Sequence, residues 1–351
     1  TLVLGQANSY TGGTLVEGGV LQAGVDGAFV DNTAFSVNGG KLDLNNFNVS
    51  MSSLMGEGGT LSLGSAALTV DQSANTRFDG NIDGTGSLTK SGTGVLVLNG
   101  ANTYTGGTTV DSGAELDLTG SVGQGTVSNA GTLDVAGGTV GGDISNTGTA
   151  TLTNGIVTGA LDNGAGATAT ATGGTIGSVV NEGALTLGAG NTVSGNVTNG
   201  SSGTLTLDGD TVDGTVADNG TLAVTANGGT AGSLSGSGAG TLAGGLTLTS
   251  AADTYAGSLS GTGGLTVAGG TETLSGVNTY TGSTTIGSGA VLQLGAGGTT
   301  GSIDGTSGID NCGSLVIDRS NNVTLAAVIS GAGSLVQQGS GVTTLTGANS
   351  Y

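Results

Sequence analysis

Asparagine recurs through the middle of the chain at intervals of 17 or 18 residues, each time with a glycine one or two positions later. Short alternations of apolar and polar residues follow several of these asparagines, as in 132–135, 184–187 and 204–207. A unit this short holds two or three strands and is unable to bury an apolar face alone, so it must stack on its neighbours. The recurring positions are Asn129, Asn146, Asn163, Asn181 and Asn199.

Stacking of such units predicts a parallel β-helix, an all-β solenoid in which each repeat is one coil. Equivalent residues of successive coils then lie about 4.8 Å apart, so that leucine stacks on leucine and asparagine on asparagine. We expect the asparagine column at a corner of the coil, because asparagine tolerates a left-handed backbone and its amide can bond the next amide in the column.

Glycine accounts for 77 of the 351 residues, and proline is absent. A collagen helix is excluded, because it needs glycine at every third position and abundant proline. Disorder is disfavoured, since only 8% of the residues are charged and the mean hydropathy is positive. In a β-helix the glycines allow sharp corners, and the absence of proline leaves backbone N–H groups free for the strand ladders.

The charge is strongly one-sided. The chain has 4 basic and 24 acidic residues and no histidine, for a net charge of −20 at pH 7, and no Lys or Arg lies between Lys90 and Arg319. Nucleic acids and anionic lipid surfaces are therefore not expected as partners, because both are bound by basic residues. Without histidine, imidazole catalysis and histidine metal ligands are excluded. We expect no enzyme activity and no catalytic, cofactor-binding or metal-binding residues.

A longer module overlies the coils. Residues 70–104 align without a gap to residues 317–351, with 16 identities in 35 positions. Every tyrosine follows Asn or Asp and then Ser or Thr, and three tyrosines continue into Thr-Gly-Gly or Thr-Gly-Ser. We expect these tyrosines to pack at corners or in the core; an exposed aromatic stripe for carbohydrate is the alternative. They are Tyr10, Tyr104, Tyr255, Tyr280 and Tyr351.

One module reads Gly84-Thr-Gly-Ser-Leu-Thr-Lys-Ser-Gly-Thr-Gly-Val-Leu-Val-Leu-Asn-Gly-Ala-Asn-Thr-Tyr-Thr-Gly-Gly-Thr-Thr-Val110. It resembles the passenger-associated transport repeat of bacterial autotransporters, the proteins of type V secretion. Copies lie at 84–118 and 261–294, a third begins at 331, and a truncated one lies at 1–23. Residues 126–250 are similar to the 17–20 residue repeats of self-associating autotransporter adhesins.

The resemblance implies a right-handed parallel β-helix, a single elongated rod, as the passenger domain. It implies export through a C-terminal translocator barrel, which is not present in this chain, and secretion or display on the outer-membrane exterior of a Gram-negative bacterium. The implied function is adhesion or self-association through the sides of the rod, in autoaggregation, biofilm and virulence. Expected partners are copies of the chain itself or host and bacterial surface molecules.

Two other functions stay open. The chain could be a passive stalk or filament section that displays another domain, since both functions need the same rod. A polysaccharide-active β-helix enzyme is the third alternative, and the lack of a basic groove for an anionic polymer argues against it.

The expected organisation is one continuous β-helix over residues 1–351. Its parts are a truncated transport-repeat module at 1–23, irregular coils at 24–83, a module at 84–118, short coils of 17–20 residues at 119–250, a module at 251–294, and coils ending in a truncated module at 295–351.

Five residues at three places in the sequence have an open role. Cys312 is the only cysteine; it is either an accessible thiol able to cross-link rods or an inert one. The acids Asp208, Asp210 and Asp213 could bind calcium or act as an acid–base pair, and we expect instead that they are solvated and point outward. Glu272 occupies the position that matches Leu96, and because a buried glutamate is unfavourable we expect the coil there to bend or shift register.

Overall fold

The computed structural model describes residues 1–351, which form two compact units, Thr1–Gly177 and Ser178–Tyr351. The regular structure in both units is β-strand, without helices. No helix is therefore available that is long and apolar enough to cross a membrane.

The first unit contains short strands joined by turns. They are β1 (Leu2–Leu4), β2 (Thr14–Val16), β3 (Val20–Ala23), β4 (Thr33–Val37), β5 (Lys41–Asp43), β6 (Val49–Met55), β7 (Thr60–Ser62), β8 (Ala67–Asp71), β9 (Thr76–Phe78), β10 (Asn81–Asp83), β11 (Ser87–Ser91), β12 (Val95–Leu98), β13 (Thr108–Val110), β14 (Glu115–Leu118), β15 (Ser121–Val122), β16 (Val127–Asn129), β17 (Thr132–Ala136), β18 (Thr139–Val140), β19 (Ile144–Asn146), β20 (Thr149–Thr153), β21 (Ile156–Asn163) and β22 (Thr168–Thr172).

Strand β23 (Thr175–Asn181) follows. The second unit continues with β24 (Ala184–Gly188), β25 (Thr192–Val193), β26 (Val197–Asn199), β27 (Thr204–Leu207), β28 (Asp210–Asp218), β29 (Thr221–Val224), β30 (Gly229–Ser235), β31 (Ala239–Leu242), β32 (Leu246–Leu248), β33 (Thr254–Tyr255), β34 (Ser258–Gly261), β35 (Leu265–Val267), β36 (Thr271–Leu274), β37 (Val277–Asn278), β38 (Thr284–Ile286), β39 (Val291–Leu294), β40 (Ser302–Ile303), β41 (Ile309–Asn311), β42 (Ser314–Ile317), β43 (Val323–Leu325), β44 (Ile329–Ser330), β45 (Ser334–Gln337) and β46 (Thr343–Leu345).

Strands of successive coils pair in parallel within each unit. In the first unit Leu96 pairs with Leu116, and Leu116 pairs with Leu133 one coil further on. In the second unit Leu185 pairs with Leu205, and Leu205 pairs with Leu222. The predicted all-β class and the stacking of like residues in a parallel β-solenoid are confirmed.

The core of each unit is made of the inward columns. In β12 and β14 alternate residues are buried, and Leu96, Leu98, Leu116 and Leu118 are fully inaccessible. Burial of one leucine side chain contributes about 1.5–3 kcal/mol. No coil closes a core alone, so each column depends on the coils on both sides.

A column of glycines forms one corner of the first unit. A Cβ atom on Gly100 would lie 1.9 Å from the carbonyl oxygen of Gly80, and one on Gly120 would lie 2.1 Å from that of Gly100. Only glycine allows the backbones of successive coils to approach this closely. The glycine content thus reflects corner stacking, as the sequence predicts.

Candidate functional site

A hydrogen-bonded corner marks each complete transport-repeat module. The hydroxyl of Tyr104 lies 2.6 Å from Oγ1 of Thr108, and that of Tyr280 lies 2.7 Å from Oγ1 of Thr284. Tyr104 and Tyr280 are buried, and burial raises the pKa of each phenol well above its usual value. Each of these two tyrosines is therefore part of the core, as predicted.

The asparagine two residues before each of these tyrosines joins three coils. Oδ1 of Asn102 accepts from the backbone N–H of Ile82 at 2.9 Å, and its Nδ2 donates to the carbonyl of Ser121 at 2.9 Å. Asn278 does the same with Leu259 and Ser302, also at 2.9 Å. The spacing shared by the two copies of the motif thus reflects a clamp between coils, which we call the Asn-x-Tyr clamp (Asn102–Thr108 and Asn278–Thr284).

The recurring asparagines form ladders of amide hydrogen bonds inside the units. In the first unit Nδ2 of Asn129 donates to Oδ1 of Asn146 at 2.7 Å, and Nδ2 of Asn146 donates to Oδ1 of Asn163 at 2.8 Å. In the second unit Asn181 donates to Asn199, and Asn199 donates to Asp218, both at 2.8 Å. The predicted bonding along the column is present.

The expectation of a left-handed backbone at the ladder asparagines is wrong. The ladder asparagines end extended strands and point inward, as Asn129 and Asn146 show. Left-handed backbone occurs instead at other, non-ladder asparagines, namely Asn32, Asn45, Asn46 and Asn154. An inward amide needs internal partners, and only the neighbouring coils supply them.

Glu272 is fully buried in β36. The expected shift of register is wrong, because Glu272 pairs in register with Leu292. Its Oε2 lies 3.4 Å from the hydroxyl of Ser233, whereas Oε1 has no hydrogen-bond partner. Burial, followed by the negative charge of Asp253, raises the pKa of Glu272 to about 9, although a bond from the Leu234 N–H opposes this. The carboxyl group is therefore protonated at neutral pH, which lets the coil keep its geometry.

The module of the first unit also buries an ionisable residue, Lys90, at a different position of the repeat. Its ammonium donates to the carbonyl oxygens of Ser91 at 2.5 Å and Gly92 at 3.0 Å. Burial lowers the pKa of Lys90, while the negative charges of Asp71, Glu115 and Asp111 act in the opposite direction. Sequence reasoning had no signal for this burial.

The cluster at 208–213 does not converge on one point. Asp210 is buried and accepts from the N–H of Asn191 at 3.0 Å, so the expectation of solvated, outward acids is wrong for it. Asp208 accepts from Thr225 and from Asn227, and these bonds lower its pKa. Asp213 is exposed. The structure contains no group of three or more Asp, Glu or Cys side chains placed to hold a metal ion.

Cys312 is exposed and forms no disulfide. Its sulfur lies 3.9 Å from Oδ1 of Asp310.

One outward face of the first unit carries in-register columns of small polar residues. Thr149 pairs with Thr168, and Thr151 pairs with Thr170, on β20 and β22. Their hydroxyl groups point away from the core, because the alternate residues Ala150 and Leu152 point inward. We define the Thr face as the outward residues of β14, β17, β20 and β22, which form three columns: Glu115, Thr132, Thr149 and Thr168; Asp117, Asp134, Thr151 and Thr170; and Ala136, Thr153 and Thr172.

Two carboxylates occupy the middle column of the Thr face. Asp117 pairs in register with Asp134 on the next strand. One buried oxygen of each carboxylate, Oδ1, has no hydrogen-bond partner. Burial and the negative charges of Asp134 and Glu115 raise the pKa of Asp117 to about 6. Sequence reasoning missed this pair, although its spacing of 17 residues equals that of the asparagine ladder.

Comparison with known proteins identifies repeats and a relative. The family described as passenger-associated transport repeat matches residues 1–23, 88–118, 269–294 and 335–351. A segment of 121 residues is 43% identical to the adhesin BmaC autotransporter of Brucella suis biovar 1 (strain 1330) and covers 32% of this chain. The same segment covers 4% of that relative. No solved structure matches significantly. The predicted resemblance to autotransporter passengers with transport repeats is confirmed.

Proposed function

The chain is an autotransporter passenger segment with passenger-associated transport repeats, and we propose that it is a non-enzymatic adhesin that self-associates through the Thr face. We propose that it is displayed on, or secreted from, the surface of a Gram-negative bacterium. The relative is named an adhesin and an autotransporter, which supports an adhesive, surface-displayed role. Because the matched segment is 4% of that relative, the role of the Thr face is proposed from the geometry of this chain.

The observation that best supports this proposal is the set of in-register threonines with free hydroxyl groups on β20 and β22. Thr149 and Thr168 are exposed, and Thr151 and Thr170 between the flanking columns are half-buried. A hydroxyl both donates and accepts, so a face of threonines is complementary to a second copy of itself. Ladders spaced about 4.8 Å apart on both copies bring many hydroxyls into reach together.

The charge distribution also favours this face. The chain carries −20 at pH 7, so two copies repel each other unless they meet where acids are few. The part of the Thr face on β20 and β22 contains no charged side chain. Each hydrogen bond contributes about 0.5–1.5 kcal/mol, so one face gives weak binding, and many passengers on a cell surface would multiply it.

The test is a settling assay on cells that display the chain. We expect the unaltered chain to cause clumping and Thr149→Arg/Thr168→Arg to abolish it, because two bulky charged side chains prevent the faces from meeting. The matched control is Thr109→Arg/Ser128→Arg, which alters an in-register exposed pair on β13 and β16 of the same unit.

Two results would contradict the proposal. An unaltered chain that does not clump would favour the passive stalk. Equal loss of clumping in both double variants, with far-UV circular dichroism unchanged, would remove the Thr face as the contact surface.

A further inference from the structure

We propose that Asp117 and Asp134 share one proton in mildly acidic surroundings and that this proton controls self-association through the Thr face. The inference rests on the proposed function, because it names how that surface is regulated. It concerns the acidic end of the face, on β14 and β17, next to the uncharged threonines of β20 and β22.

The geometry places the two carboxylates side by side. Asp117 and Asp134 are register partners on neighbouring parallel strands, whose backbones lie about 4.8 Å apart. Both side chains point outward between the flanking columns, and the residue before each aspartate, Leu116 or Leu133, is buried. Two carboxylates this close are unable to ionise independently, so one proton is retained by the pair.

The two unpaired carboxylate oxygens indicate that a proton would allow a hydrogen bond between Asp117 and Asp134. Oδ1 of Asp117 and Oδ1 of Asp134 are both buried and have no hydrogen-bond partner. Two ionised carboxylates only accept hydrogen bonds, so neither can satisfy the other. A single added proton converts one group into a donor, and the resulting hydrogen bond joins the two coils.

The neighbouring strands supply no compensating positive charge. Glu115 lies two residues before Asp117 on the same strand and is a third acid. On β12 the register partner of Asp117 is Val97, and one strand further Arg77 pairs with Asp79 at 2.5 Å. On β20 the register partner of Asp134 is Thr151.

Lys90 is the other nearby cation, and its ammonium is bonded to the carbonyls of Ser91 and Gly92. The pair therefore relies on a proton. Burial first, and the surrounding acids second, raise the pKa of Asp117 to about 6.

Docking of two Thr faces depends on whether each Asp117–Asp134 pair carries this proton. Contact removes water from both pairs, and burial of an uncompensated carboxylate is unfavourable. Above about pH 6 docking must either take up a proton for each pair or bury the charge. If each pair binds one proton on docking, the association constant falls about tenfold per pH unit for each pair involved.

The first experiment is a titration of the carboxyl carbons of Asp117 and Asp134 by NMR in the dilute, unassociated chain. We expect Asp117 to titrate near pH 6 and its transition to move to lower pH in Asp134→Asn, which removes the neighbouring negative charge. Titration of Asp117 near the ordinary aspartate value of about 3.9 in the wild type would overturn the shared proton.

The second experiment measures self-association of the purified chain by sedimentation between about pH 5 and about pH 7.5. We expect the wild type to lose at least about tenfold in association constant over this range and the Asp117→Asn/Asp134→Asn variant to stay nearly constant. The control Glu57→Gln/Asp162→Asn also removes two acidic side chains, but at exposed positions outside the Thr face. It should keep the wild-type profile apart from a small net-charge effect.

The outcomes separate the two proposals. If Asp117 titrates near pH 6 and the chain associates at no pH, the Thr face is not a contact surface and the proposed function fails. If the chain associates equally at both ends of the pH range, or the control and the pair variant behave alike, proton control is overturned and the proposed function stands.

Discussion

The two complete transport-repeat modules share their clamp and differ in the core beneath it. Both have the Asn-x-Tyr clamp with almost the same distances. In the first unit Lys90 lies in an inward column and pairs with Val110, while Leu96 lies in another. In the second unit the residues at these two positions are Val267 and Glu272. Each module thus accepts one ionisable residue in its core, at a different position.

The difference teaches what a β-solenoid core can accommodate. A backbone carbonyl has two acceptor sites and can bond an ammonium in addition to a backbone N–H, as the carbonyl of Ser91 does with Lys90 and the N–H of Gln72. A backbone N–H has a single proton, which the ladder usually uses, so a buried carboxylate finds few donors. Glu272 therefore stays protonated and leaves Oε1 unpaired. The clamp is the constant part of the module, and the inward columns vary.

The largest expected effect on stability comes from placing a glutamate in the first module at the position that Glu272 occupies in the second. Leu96→Glu removes a fully buried leucine and adds a carboxyl group without a prepared donor. We expect a loss of about 4 kcal/mol in the free energy of unfolding. Urea unfolding and hydrogen exchange of β12 and β14 measure it. The control Leu96→Met should lose less than about 1.5 kcal/mol; a Leu96→Glu variant as stable as this control would refute the contrast between the modules.

The second effect is a pH dependence confined to Glu272. Because folding raises the pKa of this residue from 4.5 to about 9, its folded form binds a proton that the unfolded chain releases. Stability is thus highest below about pH 4.5 and is lost as pH rises through 9. Between pH 7 and pH 9 the loss is about 3 kcal/mol in the limit of full linkage.

The matched variant Glu272→Leu reproduces the residue of the other module. It should be stabilised at pH 7 by about 2 kcal/mol, because the unpaired oxygen is gone, and it should lose the alkaline decline. Urea titrations at both pH values for the two proteins measure the difference. Parallel declines in wild type and variant would assign the alkaline instability to other groups.

The smallest effect tests the part that the modules share. Tyr104→Phe and Tyr280→Phe each remove one hydroxyl bond to the following threonine. We expect each to lower stability by about 1 kcal/mol, with a smaller loss for Tyr280→Phe because Oγ1 of Thr284 keeps its bond to Thr306. Hydrogen exchange of β13 and β38 locates the loss in the altered unit. A larger loss for Tyr280→Phe than for Tyr104→Phe would show that the clamp depends on the core below it.

Much of the fold could be predicted from residue spacing. An interval of 17 or 18 residues determines which side chains stack, so the asparagine ladder followed from Asn129 and Asn146 before any contact was known. Alternation within strands likewise identified Leu116 and Leu118 as inward residues. Periodicity succeeds in a solenoid because each contact is made with the equivalent residue of the next coil.

The details of the candidate site were harder to predict, since they depend on which donors the neighbouring coils supply. The burial of Asp210 depends on Asn191, which lies 19 residues earlier and donates to it. Glu272 keeps its register because a proton, which no sequence pattern records, neutralises it. The Asp117–Asp134 pair combines a predictable spacing with a shortage of donors that only the packed strands reveal.

Self-association through the Thr face is tested most directly by the distance between spin labels on two associated copies of the chain. Thr170→Cys in a Cys312→Ser background carries one spin label on the Thr face, and Thr109→Cys carries one on another sheet of the same unit. Since facing sheets pack about 10 Å apart, electron–electron dipolar spectroscopy of the associated chain should show a short, narrow distance for Thr170 and none for Thr109. Identical, broad distributions at both positions would contradict association through the Thr face.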